Sequence, residues 1–340
     1  MRIAITADPL IHVPPLNYGG IERIIDFLVT GLIDRGHDVV LVAHRDSQNK
    51  ASTFPYKGTE GAIGHVKNML TIAKLKSFNP DIIHSFSRLA YLLPYMLSPV
   101  PKLMSYQREP TLSQIRKALK LARSNSLSFT GCSNYISNQI KPIGPAYTIY
   151  NGVDIKIYKT SITYNANHPL VFLGRIEPIK GTHVAIEVAL KTISKLIIAG
   201  NIPPEYQSYF DQQILPHLND QIVYLGTVND TQKNEILRNA SAFLMPILWN
   251  EPFGIVMAEA MACGTPVIAF NRGSVPEVVV HGETGFICND TNEMINAIGK
   301  INTIDRANVR KHCELNFSSE VIVNKYIDLY NSLIGNKIVQ

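Results

Sequence analysis

The stretch Leu244–Phe286, LMPILWNEPFGIVMAEAMACGTPVIAFNRGSVPEVVVHGETGF, decides the fold that the sequence predicts. Ala242–Pro246, at its start, is apolar and short enough to be a buried strand. Gly254–Cys263 has a helical composition, and Gly264 supplies a helix stop signal. Pro266–Phe270 reads as a second buried strand. We therefore predict a βαβ unit whose loop lies at the carboxyl end of a strand, where open α/β sheets bind ligands.

Two carboxylates give this unit its chemistry, Glu251 in the loop and Glu259 in the helix. Between Pro252 and Cys263, Glu259 is the only charged or polar side chain. A helix that is apolar all round is buried, and an unpaired buried carboxylate is costly. Glu259 therefore needs donors, either from neighbouring backbone or from the hydroxyls of a ligand. Glu251 precedes a helix N-terminus, which attracts anions and hydroxyl oxygens, and a contact with the helix dipole is its alternative role.

The order of residues through this stretch resembles a family signature. Glu251-Pro-Phe-Gly-Ile-Val-Met-Ala-Glu259, followed by Gly264-Thr-Pro and Gly273-Ser-Val-Pro-Glu277, resembles the E-x7-E signature of retaining GT-B glycosyltransferases. It is most similar to glycosyltransferase family 4, the group 1 glycosyltransferases. Further segments occur in the family's order: Gly19-Gly20-Ile-Glu22-Arg23, Asp81-Ile-Ile-His84, Asn151-Gly-Val-Asp154, and Gly174-Arg175 with Lys180-Gly181. The resemblance thus spans nearly the whole chain.

The predicted elements form two series of alternating strands and helices, one starting at Met1–Ala7 and the other at Leu170–Leu173. The chain has 340 residues, more than one core usually supports, so we expect two domains. The resemblance implies an α/β GT-B fold, with two doubly wound Rossmann-like domains facing each other across a cleft. Residues 1–160 plus 318–340 would form the N-terminal acceptor domain, and 161–317 the C-terminal nucleotide-sugar donor domain. The predicted helices include Ile21–Arg35, Ile63–Ser77, Ser113–Arg123, Ser133–Ile140, Thr231–Asn239 capped by Asp230, and Ser319–Ile334.

Composition and motifs exclude several classes. The chain is 46% hydrophobic and 17% charged, which is ordinary for a globular protein. Its four cysteines lie far apart without a CxxC, which indicates thiols in a reducing compartment rather than disulfides or a zinc site. The absence of G-x-G-x-x-G and P-loop motifs disfavours nicotinamide-dependent dehydrogenases and P-loop nucleotidases. Without a signal peptide or an apolar run of about 20 residues, we expect a cytoplasmic protein, peripheral at most on the inner membrane face.

The formal charge of +5 is unevenly placed. Residues 110–153 contain no Asp or Glu, and the basic residues that fall there are Arg116, Lys117, Lys120, Arg123 and Lys141. Ser113–Arg123 has helical spacing, and a basic amphipathic helix can bind an anionic membrane surface. A solvated face is the alternative. Aromatic residues do not interleave with the basic ones, so we expect no nucleic-acid partner.

The resemblance also implies roles for single residues. Arg175 and Lys180 would stabilise the departing diphosphate, where preorganised cations contribute most to catalysis. Glu251 would act with them by holding the donor sugar, and Glu259 would accept hydrogen bonds from the ribose hydroxyls. The other donor-binding residues would be Gly19, Gly20, Val228, Asp230, Lys233, Phe253, Gly254, Ile255 and Val256. The acceptor would meet Tyr18, His84, Gln107 and Arg108. The chain has no D-x-D motif, and the resemblance implies neither a metal nor another cofactor besides the co-substrate.

One departure from the family concerns the donor sugar. Many members carry a Thr-Phe-His run where this chain reads Ser105-Tyr106-Gln107. Gln107 can bond a sugar hydroxyl, but it cannot carry charge or act as acid or base. The identity of the donor sugar therefore stays open.

The expected function is transfer of a sugar from a nucleotide-diphosphate sugar to a carbohydrate, lipid-linked or small-molecule acceptor, with retention of configuration. Two alternatives remain: a catalytically silent nucleotide-sugar-binding protein and a GT-B nucleotide-sugar epimerase. The joint presence of Arg175, Lys180, Glu251 and Glu259 argues against the first. The family 4 form of the Glu251 segment argues against the second.

Overall fold

The computed structural model describes residues 1–15, 19–58, 61–161, 165 and 167–335 and divides into two units. Unit 1 comprises Met1–Gly152 and Ser319–Gln340, and unit 2 comprises Val153–Ser318. Each unit contains one parallel sheet with helices in its crossover connections. This is the doubly wound α/β arrangement that the alternation of elements predicted.

Unit 1 is built on a seven-stranded sheet in the order β3-β2-β1-β4-β5-β6-β7. The strands are β1 (Arg2–Thr6), β2 (Asp38–Ala43), β3 (Ser52–Pro55), β4 (Ile82–Ser85), β5 (Lys102–Tyr106), β6 (Leu127–Gly131) and β7 (Ala146–Thr148). The helices, numbered along the chain, are α1 (Gly20–Asp34), α2 (Gly61–Ala73), α3 (Leu112–Leu121), α4 (Asn134–Ile140) and α12 (Ser319–Gly335). The order reverses between β1 and β4, as in dinucleotide-binding folds.

Unit 2 repeats the winding in a six-stranded sheet of order β10-β9-β8-β11-β12-β13. Its strands are β8 (Leu170–Leu173), β9 (Leu196–Ala199), β10 (Ile222–Tyr224), β11 (Ala242–Met245), β12 (Val267–Phe270) and β13 (Gly285–Cys288). Its helices are α5 (Thr182–Lys191), α6 (Gln207–Gln213), α7 (Asp230–Arg238), α8 (Ile255–Ala262), α9 (Val275–Val278), α10 (Thr291–Ile298) and α11 (Arg306–Phe317). All the strand pairings are parallel, so the carboxyl ends of the strands share one edge of each sheet.

Helical spacing of apolar residues explains how helices cover the sheet of unit 1. In α1 the buried residues Ile25, Leu28, Val29 and Leu32 recur at the i, i+3, i+4, i+7 spacing of one helix face. Helix α12 packs against α1 within the same unit. The final helix thus completes unit 1 although it follows unit 2 in the chain.

A buried lysine holds the segment around residues 95–98 in place by hydrogen bonds. Lys102, the first residue of β5, is fully buried, and burial lowers its pKa to about 8. Its Nζ donates hydrogen bonds to the carbonyl oxygens of Tyr95 (3.1 Å), Met96 (3.4 Å) and Ser98 (2.8 Å) and to Ser126 Oγ (2.6 Å). The segment around residues 95–98 is therefore held against β5 and β6.

Most predicted elements are present with ends shifted by a few residues, and four were missed. Strands β3 and β13 lie at sheet edges, where the apolar signal is short, and the helices α9 and α11 were not predicted. Helix α7 was predicted to be capped by Asp230, which is wrong: Asn229 is the N-cap, in a reciprocal capping box with Gln232.

The units divide the chain before Val153 and after Ser318, not at 160 and 317. The reason is that Val153 N–H donates to Phe317 O (2.8 Å), which ties the segment after Gly152 to unit 2. Among the residues that the structure describes, no helix has the length and hydropathy needed to cross a membrane.

Candidate active site

The loop from β11 to α8 is shaped by Gly254. This residue is the N-cap of α8 and has φ 73°, a left-handed conformation that favours glycine. A Cβ there would lie 2.8 Å from the terminal methyls of Met245 and Met257 and 3.3 Å from Cγ of Glu251. Without a side chain at Gly254, Glu251 can pack directly before the first turn of α8. Every residue of α8 from Met257 to Ala262 is buried, and all of them except Glu259 are apolar, as the composition predicted.

Glu251 forms an ion pair with Lys180. Lys180 ends a 3-10 helix, Pro178–Lys180, that follows β8. Its Nζ donates to Oε2 of Glu251 at 2.8 Å, and Nε1 of Trp249 donates to the same oxygen at 3.1 Å. Lys180 Nζ also lies 4.9 Å from the centre of the Trp249 ring, a cation–π distance. Within the part of the chain that the structure describes, both side-chain bonds of Glu251 use Oε2, so Oε1 remains to accept from a ligand.

Glu259 has the same arrangement with a second lysine. Its side chain is only 6% exposed. Oε1 accepts hydrogen bonds from the Tyr158 hydroxyl (2.7 Å) and from Lys233 Nζ, which also lies 3.3 Å from Asp230 Oδ1. Burial, with the nearby Glu259 charge, raises the pKa of Tyr158 far above its usual value, so this hydroxyl stays protonated and donates. Among the described residues, both side-chain hydrogen bonds of Glu259 go to Oε1, and Oε2 takes neither.

These contacts answer the question of which donors Glu259 uses. They come from two side chains, Tyr158 and Lys233, rather than from neighbouring backbone. Lys233 pairs with Glu259, and its role in donor binding stays a prediction. Tyr158 was missed because nothing in its local sequence marks it, and it is 101 positions from Glu259.

Arg175 is not bonded to Glu251. Its guanidinium pairs with the buried Glu177 carboxylate, Nη2 to Oε1 at 2.9 Å, while the Arg175 side chain is 40% exposed. A guanidinium carries five N–H donors, so one carboxylate leaves donors for a phosphate. Glu177 was also missed, although its spacing of two residues from Arg175 after a strand was a usable signal. Trp249 has a comparable signal, two positions before Glu251.

The other predicted donor residues of unit 2 lie on two helix starts. Phe253 is buried and packs edge-on against Phe317, with ring centres 5.6 Å apart. Ile255 and Val256 are the first two residues of α8 and are half-buried. Val228 is half-buried in the loop before α7, and Asp230 is the first residue of that helix.

The glycines and polar residues that were predicted as site residues in unit 1 lie in different elements of that unit. Gly19 is the N-cap of α1, and a Cβ there would lie 2.6 Å from Cβ of Pro15 and 2.8 Å from Oε2 of Glu22. Close packing therefore requires a glycine at this position whether or not a ligand approaches. Gly20 is the first residue of α1, and Arg108 is exposed after β5. Tyr18 lies outside the described residues.

Neither ring nitrogen of His84 is available to an acceptor substrate, which corrects its predicted role in acceptor binding. It is fully buried in β4, with Nδ1 2.6 Å from the Tyr330 hydroxyl and Nε2 2.6 Å from Ser105 Oγ. Burial lowers the pKa of His84 to about 3, so the ring is neutral. It joins β4 and β5 to α12. Gln107 differs, because its buried Oε1 has no hydrogen-bond partner among the described residues.

Two family models match the chain, one on each half. The model described as Glycosyltransferase Family 4 matches residues 18–157, and the model described as Glycosyl transferases group 1 matches 161–313. The chain is 27% identical to glycogen synthase of Mycobacterium tuberculosis, over 81% of this chain and 80% of that protein. It is 25% identical to N-acetyl-alpha-D-glucosaminyl L-malate synthase of Bacillus anthracis, over 91% and 89%.

A solved structure of HepE from Anabaena in complex with UDP-glucose has the same fold. Its TM-score is 0.77 at 20% identity, over 98% of this chain and 100% of that one. Two parallel-sheet Rossmann-like units and this similarity define the GT-B fold. With matches on both halves, the chain belongs to the group 1, family 4 glycosyltransferases, and it is a glycosyltransferase.

Proposed function

We propose that this chain transfers a sugar from a nucleotide-diphosphate sugar to a carbohydrate or lipid-linked acceptor, with retention of anomeric configuration and without a metal ion in the reaction. The observation that carries this proposal is the repeated carboxylate–lysine pairing in unit 2. Glu251 pairs with Lys180 and Glu259 with Lys233, and the first turn of α8 lies between the two glutamates in sequence. The complex of HepE with UDP-glucose supports a nucleotide sugar as the donor.

The chemistry of transfer explains why these residues are needed. The bond between the anomeric carbon and the diphosphate oxygen breaks, so negative charge grows on the phosphate and positive charge on the sugar ring. Lys180 and the exposed guanidinium of Arg175 stabilise the phosphate charge, together with the N–H groups at the start of α8. Glu251 holds a hydroxyl of the sugar through Oε1, which takes neither of its two side-chain bonds to described residues.

Retention follows when the acceptor attacks the face that the diphosphate leaves. The acceptor oxygen forms its bond to the anomeric carbon, and its proton passes to the departing phosphate oxygen. This route needs no protein base, which fits a chain whose His84 is buried and whose Gln107 cannot accept a proton. Gln107 Oε1 instead accepts a hydrogen bond from a sugar hydroxyl.

Glu259 binds the other end of the donor in this proposal. Its Oε2 accepts from the ribose hydroxyls, while Tyr158 and Lys233 hold Oε1 in place. Val228 and Asp230 line the nucleotide end. The ribose is remote from the reacting carbon, so these contacts mainly set donor affinity.

The test is a screen of UDP-, GDP- and ADP-sugars without acceptor, in the presence of a chelator. We expect slow release of one nucleoside diphosphate together with free sugar, and early NMR spectra should show the anomer of the donor. No release from any donor would favour the silent binding protein. Release of the opposite anomer would rule out retention, and an altered sugar on intact nucleotide would indicate an epimerase.

We further propose that unit 1 contacts an anionic membrane through a basic surface, defined as Arg116, Lys117, Lys120 and Arg123. All four residues are exposed. The apolar face of α3, Ile115 and Ala118, is buried in the core and is not available to lipid. Exposed apolar side chains come instead from Leu121, the last residue of α3, which is 46% exposed, and from the segment that Lys102 anchors. Arg123 N–H donates to Met96 O at 2.7 Å, and the adjacent Leu97 is 75% exposed.

We expect binding to anionic vesicles that falls steeply with added salt, because the attraction is screened. Changing all four residues of the basic surface to Gln should abolish it, while Leu97→Asn should weaken binding without changing its salt dependence. Changing four exposed lysines of unit 2 to Gln removes the same charge and should leave binding intact; these are Lys191, Lys195, Lys300 and Lys311. Vesicle flotation measures the effect. Absence of binding at low salt would leave the basic surface as a solvated face.

A further inference from the structure

Two histidines and an aspartate from different segments of unit 1 meet at the carboxyl edge of its sheet. His12 lies in the loop between β1 and α1, and His44 and Asp46 lie directly after β2. One ligand atom from each of the three residues lies within 4.8 Å of the others. The two imidazole rings have centres 4.7 Å apart, and His44 Nδ1 is 3.7 Å from Asp46 Oδ2.

We propose that His12, His44 and Asp46 bind a divalent transition-metal ion of the zinc class, which ties the loop after β1 to the segment after β2. Zinc holds nitrogen and oxygen ligands at about 2.0–2.2 Å, so neighbouring donor atoms in a tetrahedral site lie roughly 3.3 Å apart. The three ligand atoms lie within 4.8 Å of one another, so reaching this spacing shortens each separation by about 1.5 Å at most. Two imidazoles with one carboxylate favour Zn²⁺ or Ni²⁺ over Mg²⁺ and Ca²⁺, which prefer oxygen.

The backbone beside the ligands is already fixed. Val13, next to His12, donates its N–H to Ser47 Oγ at 3.0 Å, and its carbonyl accepts from Gln48 N–H at 3.0 Å. These two bonds join the two ligand-bearing segments, so an ion does not have to bring them together. Less conformational entropy is lost on binding, which raises affinity.

The competing contacts at the three side chains are weak. Asp46 N–H donates to His44 Nδ1 at 3.2 Å, a long bond that a metal ion at Nδ1 would replace. Arg45 reaches Asp46 only at 3.8 Å, and an exposed ion pair of this kind contributes little. The Asp46 side chain is 64% exposed, so an ion can enter and a water molecule can complete its coordination. This site belongs to unit 1 and uses none of the residues that are proposed for the transfer chemistry.

The test uses untagged protein freed of metal by a chelator and then titrated with Zn²⁺ against a competing indicator. We expect one saturable site, and His12→Ala and His44→Ala should each weaken it at least ~10-fold. His217→Ala, which removes an exposed histidine of unit 2, should leave the affinity unchanged. Mg²⁺ should not compete. The four cysteines are buried, and zinc held by them would bind equally well in the histidine variants.

Backbone hydrogen exchange is a second measurement, and it tests whether the bound ion links the two segments. Zn²⁺ should slow backbone exchange in both 8–15 and 44–48 of the wild type, and in neither segment of His44→Ala. Protection limited to one segment, an affinity unchanged by His12→Ala, or no saturable binding at all would each overturn the proposal.

Discussion

Lys180→Ala should lower kcat by about 10²–10³-fold while weakening donor binding much less, the scale for losing one preorganised group that stabilises transition-state charge. The ammonium acts on the phosphate charge that grows as the sugar bond breaks, so its contribution is larger in the transition state than in the bound donor. Arg175→Ala should act in the same direction. Steady-state kinetics of donor turnover, with the affinity for the nucleoside diphosphate measured separately, gives both quantities.

Removing Lys180 also takes the ion-pair partner from Glu251, so the variant needs a matched control. Lys191 forms an i,i+4 pair with Glu187 at 2.7 Å on the exposed side of α5. Lys191→Ala removes a paired lysine that has no proposed role in transfer and should leave kcat unchanged. Thermal unfolding of each variant shows whether it is folded. If folded Lys180→Ala and Arg175→Ala both turn over near the wild-type rate, the phosphate role is wrong.

Glu251→Gln should mainly lower the rate of transfer, and Glu259→Gln should mainly weaken donor binding. Glu251 is proposed to hold the sugar that becomes cationic, so its interaction strengthens as charge develops and its loss lowers kcat more than it raises KM. Glu259 is proposed to hold the ribose, whose contacts change little during the reaction. Glu259→Gln should mainly raise KM and weaken nucleoside diphosphate binding.

The Glu259 variant carries a structural cost that has to be measured first. A glutamine can still accept from Tyr158, but Lys233 loses its closest counter-charge and keeps Asp230 at 3.3 Å. Removing the ion-pair partner of a largely buried charge destabilises the folded protein. Glu187→Gln, at the exposed pair, is the control and should change neither stability nor kinetics. Unchanged diphosphate affinity in Glu259→Gln, or an effect on KM alone in Glu251→Gln, would contradict this division of roles.

The sequence predicted the fold well where a periodic pattern carried the information. The run from Ala242 to Phe270 predicted β11, α8 and β12 because buried parallel strands are apolar and the buried helix is apolar except at Glu259. Edge strand β3, Ser52–Pro55, escaped because an exposed four-residue strand containing proline has no such pattern.

Among the candidate site residues, those that pair with one another in unit 2 were marked by an ordered motif, as Lys180, Glu251 and Glu259 are. Their partners were not, because tertiary folding brings Tyr158 to Glu259 from another part of the chain. His84 shows the opposite error. Its position at the end of a strand suggested a site, but the side chain points into the protein, where Tyr330 of the last helix meets it. No local sequence pattern distinguishes a histidine at a strand end that faces a site from one that points into the protein interior.

The pairing of each lysine with a glutamate affects how well the ligand-free protein binds small anions. Because Lys180 and Lys233 are each paired with a glutamate, a small anion such as inorganic phosphate that takes either ammonium from its carboxylate leaves that carboxylate without a partner. A nucleotide sugar brings hydroxyl groups for the glutamates along with phosphates for the cations, so every group stays satisfied. On the proposed function, the site therefore rejects abundant simple anions by the mismatch they create, a form of selectivity that needs no steric barrier.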